Sequence, residues 1–252
     1  MDYTGKEPAE SFLAPPLNAV VEEMDRTYPK DISASVQDGK KDDNGWPEGL
    51  SEAFNKMKNV HSEAFITSGT VQYDACVGDY AAAGFKYHGA LSILNVIMSY
   101  EYLWSRIRVK GGAYGCMCGF APAGTGYFTS YRDPNLYETY KVYEEAPEYV
   151  RNFDADERTM RKFIIGAFSN VDVPLNPPAD GARSLGAFLS KTPIEFIQKN
   201  RDEMLSANVE TIRSLGDIVE CLTSSGLRCV VGSASKIEEN KDMFEHVETL
   251  IK

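Results

Sequence analysis

The hydrophobic pattern changes period twice between Val71 and Phe120, and this restricts the chain more than any other feature. Val71, Tyr73, Ala75 and Val77 alternate with Gln72, Asp74 and Cys76, the period-two signature of a half-buried strand. Ala90, Ile93, Ile97, Tyr100, Trp104 and Ile107 then recur at three- and four-residue steps. That is one face of an amphipathic helix, expected from about His88 to about Arg108. Gly111-Gly112 stops it, since glycine is favoured just past a helix end. Alternation returns at Tyr114, Cys116, Cys118 and Phe120. A Pro/Gly turn follows over Ala121 to Gly126, and Tyr127 to Tyr131 reads as the second strand of a hairpin.

Further along, Asp133-Pro134 reads as a helix start, with an acid at the cap and proline inside it. A second helix is expected over about Asp156 to Ser169, with Met160, Phe163, Ile164, Ala167 and Phe168 on its buried face. Val171 to Gly181 is proline-rich and reads as a loop, and Thr192-Pro193-Ile194-Glu195 as a capped helix start. Ala207 to Thr223 reads as helix ended by Gly226, Leu227 to Val231 as a last strand, and Ile237 to Ile251 as a closing helix. A hairpin in the middle and few βαβ units predict an α+β domain, with a largely antiparallel sheet and helices packed on one face. Residues 1–62 differ in character. They carry Pro8, Pro15, Pro16, Pro29, Pro47 and the polar run Gln37 to Gly49, and only Val20 to Tyr28 and Leu50 to Met57 look helical. The expected organisation is therefore a linker or domain tail over 1–62 and one domain over 63–252.

Charge and motif content exclude several kinds of function. Lys and Arg number 26 against 37 Asp and Glu, a net charge of −11, which argues against a nucleic-acid or anionic-membrane binder. The polar, acidic start MDYTGKEPAES resembles neither a secretory signal nor a transit peptide, and no apolar run approaches the ~18 residues of a membrane span. Five cysteines, an odd number, favour a reducing cytoplasmic setting over a disulfide scaffold. His61, His88 and His246 build neither H-E-x-x-H nor H-x-x-E-H. His246 with Glu245 and Glu248 reads as a surface cluster, His88 as a packing or capping residue, and Cys116-x-Cys118 as core. No metal or cofactor is expected on this chain.

One stretch is left over: LWSRIRVKGGAYG, Leu103 to Gly115. Arg106, Arg108 and Lys110 in a last helical turn favour the negative end of the helix dipole, so capping is one reading. It leaves Tyr114, ringed by Gly111, Gly112, Ala113 and Gly115, without a reason. An arginine and a tyrosine joined by a tight glycine turn can also aim two donors at one peptide carbonyl or oxyanion. Spacing alone leaves both readings open.

YLWSRIRVKGGAYG followed by FTSYRDPNL resembles the C-terminal part of presequence-protease-type zinc metallopeptidases, within the insulinase/pitrilysin family. The resemblance covers about Glu63 to Lys252 and includes FKYHGAL. It implies the non-zinc copy of the family's α+β domain, in an enzyme that degrades unfolded peptides inside a closed chamber. It implies that zinc and its ligands belong to an N-terminal half of the same peptidase, the partner of this chain, and that this chain alone is inactive. It implies a substrate-binding role for Arg108 and Tyr114, which hold the scissile peptide; Arg106 and Lys110 only flank them. Cys116 stands where relatives often carry glycine. A non-catalytic peptide-binding or scaffolding subunit of the family is the alternative. A separate cysteine-nucleophile enzyme is disfavoured, because no histidine is visibly paired with a cysteine.

Overall fold

The computed structural model describes residues 62–250. The helices expected over 20–28 and 50–57, the rest of the segment 1–61, and His61 lie outside them. The described chain belongs to two compact units. The larger holds residues 62–172 and 198–250, and residues 173–197 belong to the second.

The larger unit is built on a six-stranded sheet. Its strands are β1 (Ser62–Thr67), β2 (Tyr73–Asp79), β3 (Gly115–Phe120), β4 (Thr125–Tyr131), β5 (Leu227–Ser233) and β6 (His246–Thr249), in the order β3-β4-β2-β5-β1-β6. The β3-β4, β4-β2 and β2-β5 pairings are antiparallel, whereas β1 pairs in parallel with both β5 and β6. The expected α+β class, with a largely antiparallel sheet, is therefore the observed one. Two strands were not expected. β1 is a short mixed run, and β6 lies inside the stretch read as a closing helix. That helix is only α9 (Ala234–Glu239), followed by a 3₁₀ turn at Lys241–Met243. The parallel edge of β1, with Glu63 opposite His246, recruits the segment as strand; tertiary pairing overrides local propensity.

Alternation along the strands separates two faces. Cys76, Phe128, Ser130, Cys118 and Val230 are buried on the inner face, while Tyr73, Val77, Met117, Tyr127 and Leu227 on the outer face are exposed. The inner face is covered by α2 (Tyr137–Glu144) and α8 (Gly216–Ser224). α8 lies against the sheet so closely that a Cβ at Gly78 would sit 2.5 Å from the Leu222 Cα. The Phe128 and Tyr143 rings stack at 5.4 Å. The Tyr140 hydroxyl reaches the Ala75 and Cys229 carbonyls at 3.1 and 3.0 Å, tying α2 to β2 and β5.

The remaining helices of this unit include α1 (Ala90–Ile97), α3 (Ala146–Arg151), α4 (Glu157–Val171) and α7 (Val209–Ser214); α6 runs over Ile194–Leu205. α4 matches its expectation, capped by Asp156 accepting from the Thr159 amide and burying Met160, Phe163 and Ala167. The helix expected over 207–223 is broken at Leu215 into α7 and α8. The loop expected over 171–181 is shorter, because α5 (Pro177–Leu189) starts within it. Pro177 and Pro178 occupy the first turn, where the missing N–H costs nothing, and the Asn176 side chain caps the Ala179 amide.

One inner-face group lacks its charge partner. Asp74 is buried; its Oδ2 accepts from Ser130 Oγ at 2.7 Å, and its Oδ1 finds no partner. Burial raises the Asp74 carboxyl from 3.8 to about 8; the Ser130 hydroxyl opposes the shift and the nearby Asp133 reinforces it. Unfolded, Asp74 ionises near 3.8, so above that pH the folded state keeps a proton the unfolded state has released. The associated stability is fully present below about pH 4 and is lost as pH rises through about 8. The Asp133 carboxyl is raised in the same direction, again chiefly by burial. Denaturant midpoints are expected to fall between pH 5 and 8.5. Asp74→Asn, neutral and of the same shape, should flatten that slope and outlast the parent at pH 8.5. A variant profile as steep as the parent's would contradict this.

Candidate functional site

The expected helix from His88 to Arg108 forms, but its winding changes. After α1 the chain continues without a break as a π-helix over Met98–Lys110. The buried positions shift accordingly, to Met98, Tyr102, Leu103 and Ile107, while Tyr100 and Trp104, expected in the core, are 68% and 45% exposed. An extra residue per hydrogen-bonded turn rotates the later side chains off the α-helical stripe. Extended π-helix is rare and is often found at functional sites.

The end of this segment is equally wide. The Gly111 amide donates to the Arg106 carbonyl, Gly112 to Arg108 and Ala113 to Ile107. Gly112 has φ +83°, a left-handed conformation that glycine adopts without the Cβ clash. Asn135 closes the end from across the chain, its Nδ2 donating to the Gly111 carbonyl at 2.6 Å. Asp133 holds Asn135 in turn, accepting from its backbone amide at 2.9 Å and from Thr139 Oγ1 at 2.7 Å. Asp133 is thus a turn residue ahead of α2, whose helical span opens only at Tyr137, and not the helix cap the sequence suggested. The two motifs GGAYG and SYRDPNL are the two sides of this junction.

The junction sets Tyr114 at the entrance to β3. Its amide bonds the Tyr131 and Arg132 carbonyls at 3.1 and 3.3 Å, and its side chain is 63% exposed. Arg108 reaches it from the π-helix: the guanidinium lies 4.6 Å from the Trp104 ring centre and 5.4 Å from that of Tyr114. Such separations are in the range of cation–π attraction. Sequence reasoning missed the rest of the cluster. Arg132 lies 6.0 Å from the Tyr114 ring and 5.5 Å from that of Tyr131. Tyr131 meets Tyr114 and Tyr73 edge-on at 5.7 and 5.4 Å. The signal was available: Tyr73 and Tyr131 occupy outward positions of alternating strands.

The other expected residues are accounted for structurally. Arg106 pairs with Glu145 at 2.6 Å and lies over the Tyr102 ring; Lys110 is exposed in the last turn. His88 Nδ1 accepts from the Ala90 amide at 3.1 Å, a local cap, and His246 lies on β6 beside Glu248. Cys118 and Cys116 share the inner face of β3, and burial pushes their thiols up to about 12 and about 11, away from nucleophilic character. Among the described residues no three His, Cys, Asp or Glu side chains gather to hold a metal ion, and no helix is long and apolar enough to cross a membrane. A cavity of about 500 Å³ between the starts of α4 and α7, over Met160 and Ile164, shares no lining residue with the Arg108–Tyr114 cluster.

Comparison with known proteins shows the family and the fold. The family model described as the PreP C-terminal domain matches residues 62–236. The chain belongs to this family. It is 41% identical over 201 residues to protein HypA of Clostridium perfringens, covering 80% of this chain and 21% of that protein. Against presequence protease 1, chloroplastic/mitochondrial, of Arabidopsis thaliana it is 31% identical over 191 residues, covering 74% and 18%. The chain thus spans about a fifth of the length of these relatives. In fold it resembles a crystal structure of a protease from Helicobacter pylori, with a TM-score of 0.54 at 13% identity, covering 68% of this chain and 43% of that one. A conserved protein from Enterococcus faecalis gives 0.52 at 13%, covering 70% and 43%.

The left-handed backbone at Gly112 provides a direct check on the junction. Gly112→Ala is expected to cost about 1–2 kcal/mol in denaturant unfolding at unchanged m-value. An unchanged midpoint would show that the turn does not need that conformation.

Proposed function

We propose that the chain is the C-terminal substrate-binding portion of a zinc metallopeptidase that degrades unfolded peptides in a closed chamber, with Arg108 and Tyr114 holding the scissile peptide. The supporting observation is the pairing itself. The Arg108 guanidinium, carried on a separate element, lies over the exposed Tyr114 ring, and Arg108 forms no ion pair with a described residue. Arg106, two residues before it, is by contrast engaged with Glu145.

In this reading the two donors act on one peptide carbonyl. As a peptide bond is attacked, its carbonyl oxygen gains negative charge. Donors already in position stabilise that charge more than the ground state, because they need not reorganise. The arginine adds a fixed positive charge and a planar fork, and the tyrosine a single O–H. Zinc would supply the activated water, and the described residues here do not fit it. The metal, the base and the chamber's other wall are therefore assigned to an N-terminal portion of the full polypeptide, the partner of this domain. Family membership and the large share of the relatives' length beyond this chain support that assignment. A reducing, cytoplasmic setting, favoured by cysteines that are all unpaired, belongs to the same proposal.

The chain alone should hydrolyse no peptide, and the full-length polypeptide should. Within the latter, Tyr114→Phe removes one donor and keeps the ring, and is expected to lower turnover of an unstructured peptide by ~10²–10³. Arg108→Ala should lower turnover and also weaken substrate binding. Melting temperatures should hardly move, because both groups act at the surface. Parent-like turnover in both variants would reduce the stretch to a capped helix end.

A further inference from the structure

Arg132 has three properties that folding does not require together. Its backbone is left-handed, φ +49°, a conformation unusual for a residue with a long side chain and one that persists only where surroundings impose it. Here they do so on both sides. Its carbonyl accepts from the Tyr114 amide, and the next residue, Asp133, exchanges both backbone hydrogen bonds with Gln72 at 2.7 and 2.9 Å. Its side chain makes no ion pair with a described residue, although acidic residues outnumber basic ones 37 to 26. Finally, its guanidinium lies over two tyrosine rings, Tyr114 and Tyr131. Hydrogen bonding with Tyr73 is the chief influence raising its pKa, and an arginine stays charged in any case.

Contact with rings and one hydrogen bond to Tyr73 leave a guanidinium further N–H donors, and its planar fork matches a carboxylate. Arg108 has the same arrangement over Trp104 and Tyr114, so two such groups border one ring. The nearest acid in sequence, Asp133, is buried and already accepts from Asn135 and Thr139; it is not free to neutralise Arg132. We propose that Arg132 and Arg108 form a carboxylate-binding subsite across the Tyr114 ring, which selects peptides carrying an acidic side chain or a free C-terminal carboxylate next to the bond held at Tyr114. This deepens the functional reading above and rests on it for the peptide nature of the ligand.

The test measures affinity and needs no turnover. Fluorescently labelled unstructured peptides are titrated with the 252-residue chain: one pair differs by Glu against Gln, the other by a terminal acid against an amide. At low salt the acidic member of at least one pair should bind about tenfold more tightly, as expected of hydrogen bonds to charged groups, and the preference should shrink as salt is added. Which pair shows it identifies the source of the carboxylate. Arg132→Asn, which tolerates the left-handed backbone, should reduce the acidic peptide to the affinity of its neutral twin. Arg132→Lys, with the charge but without the fork, should fall between. Equal affinities within both pairs, absence of saturable binding by the acidic peptides, or a preference that survives in a folded Arg132→Asn variant would each overturn the subsite. The wider reading fails by a different sign, parent-like turnover in both Tyr114→Phe and Arg108→Ala.

Discussion

One side-chain hydrogen bond ties the end of the long helix to the turn after β4. Asn135 Nδ2 donates to the Gly111 carbonyl, one of the acceptors that any helix end leaves unsatisfied. It holds the end of the π-helix, which carries Arg108, against the turn after β4, which carries Arg132. The Asp133 carboxylate fixes Asn135, and the Gln72–Asp133 backbone pair fixes Asp133 to the start of β2. Together with the Tyr114 amide bonds to the Tyr131 and Arg132 carbonyls, this chain of bonds sets Arg132 and the end of the π-helix beside Tyr114. The polar residues of SYRDPNL are therefore structural, apart from the arginine, and that arginine is the residue whose backbone the arrangement strains.

The winding of the long helix is the second constraint. An α-helix from His88 to Arg108 would have directed Trp104 into the core with Ile97 and Tyr100. The π segment keeps Met98, Tyr102, Leu103 and Ile107 inside and leaves Trp104 on the surface under Arg108. Tyr102 is anchored there by its hydroxyl, which donates to the Val142 carbonyl of α2 at 2.7 Å. The core and the candidate site thus share one helix with a different winding at each end.

Legibility in the sequence followed the range of the responsible interaction. The β2 strand, the β3–β4 hairpin, α4 and the glycine stop at Gly111-Gly112 were readable because alternation, turn glycines and the Asp156 cap act within a few residues. Arg108 and Tyr114 were readable as an unexplained pair, and the family resemblance of the surrounding residues gave them a role. β1 and β6 were not, since each is defined by a partner far away in the chain: Glu63 pairs with Cys229 on one side and His246 on the other. Nor was the π winding, because the same apolar residues satisfy both periods until their neighbours choose. Asp133 was misread as a helix cap for a similar reason. Its acceptors serve Asn135 and Thr139, and only the backbone pairing with Gln72 places it there.

β6 has a consequence beyond closing the sheet. Among the described residues it is an edge strand, four residues long, reading His-Val-Glu-Thr and preceded by Glu245. A sheet whose outer face exposes Tyr73, Val77, Tyr127 and Leu227 is a hazard if a second copy can add to its rim, because backbone pairing would then bring two apolar faces into line. A short rim strand with acidic side chains gives such an addition little length to grip and repels its like. At this rim, the exposed outer face is thereby less readily brought into line with that of a second copy.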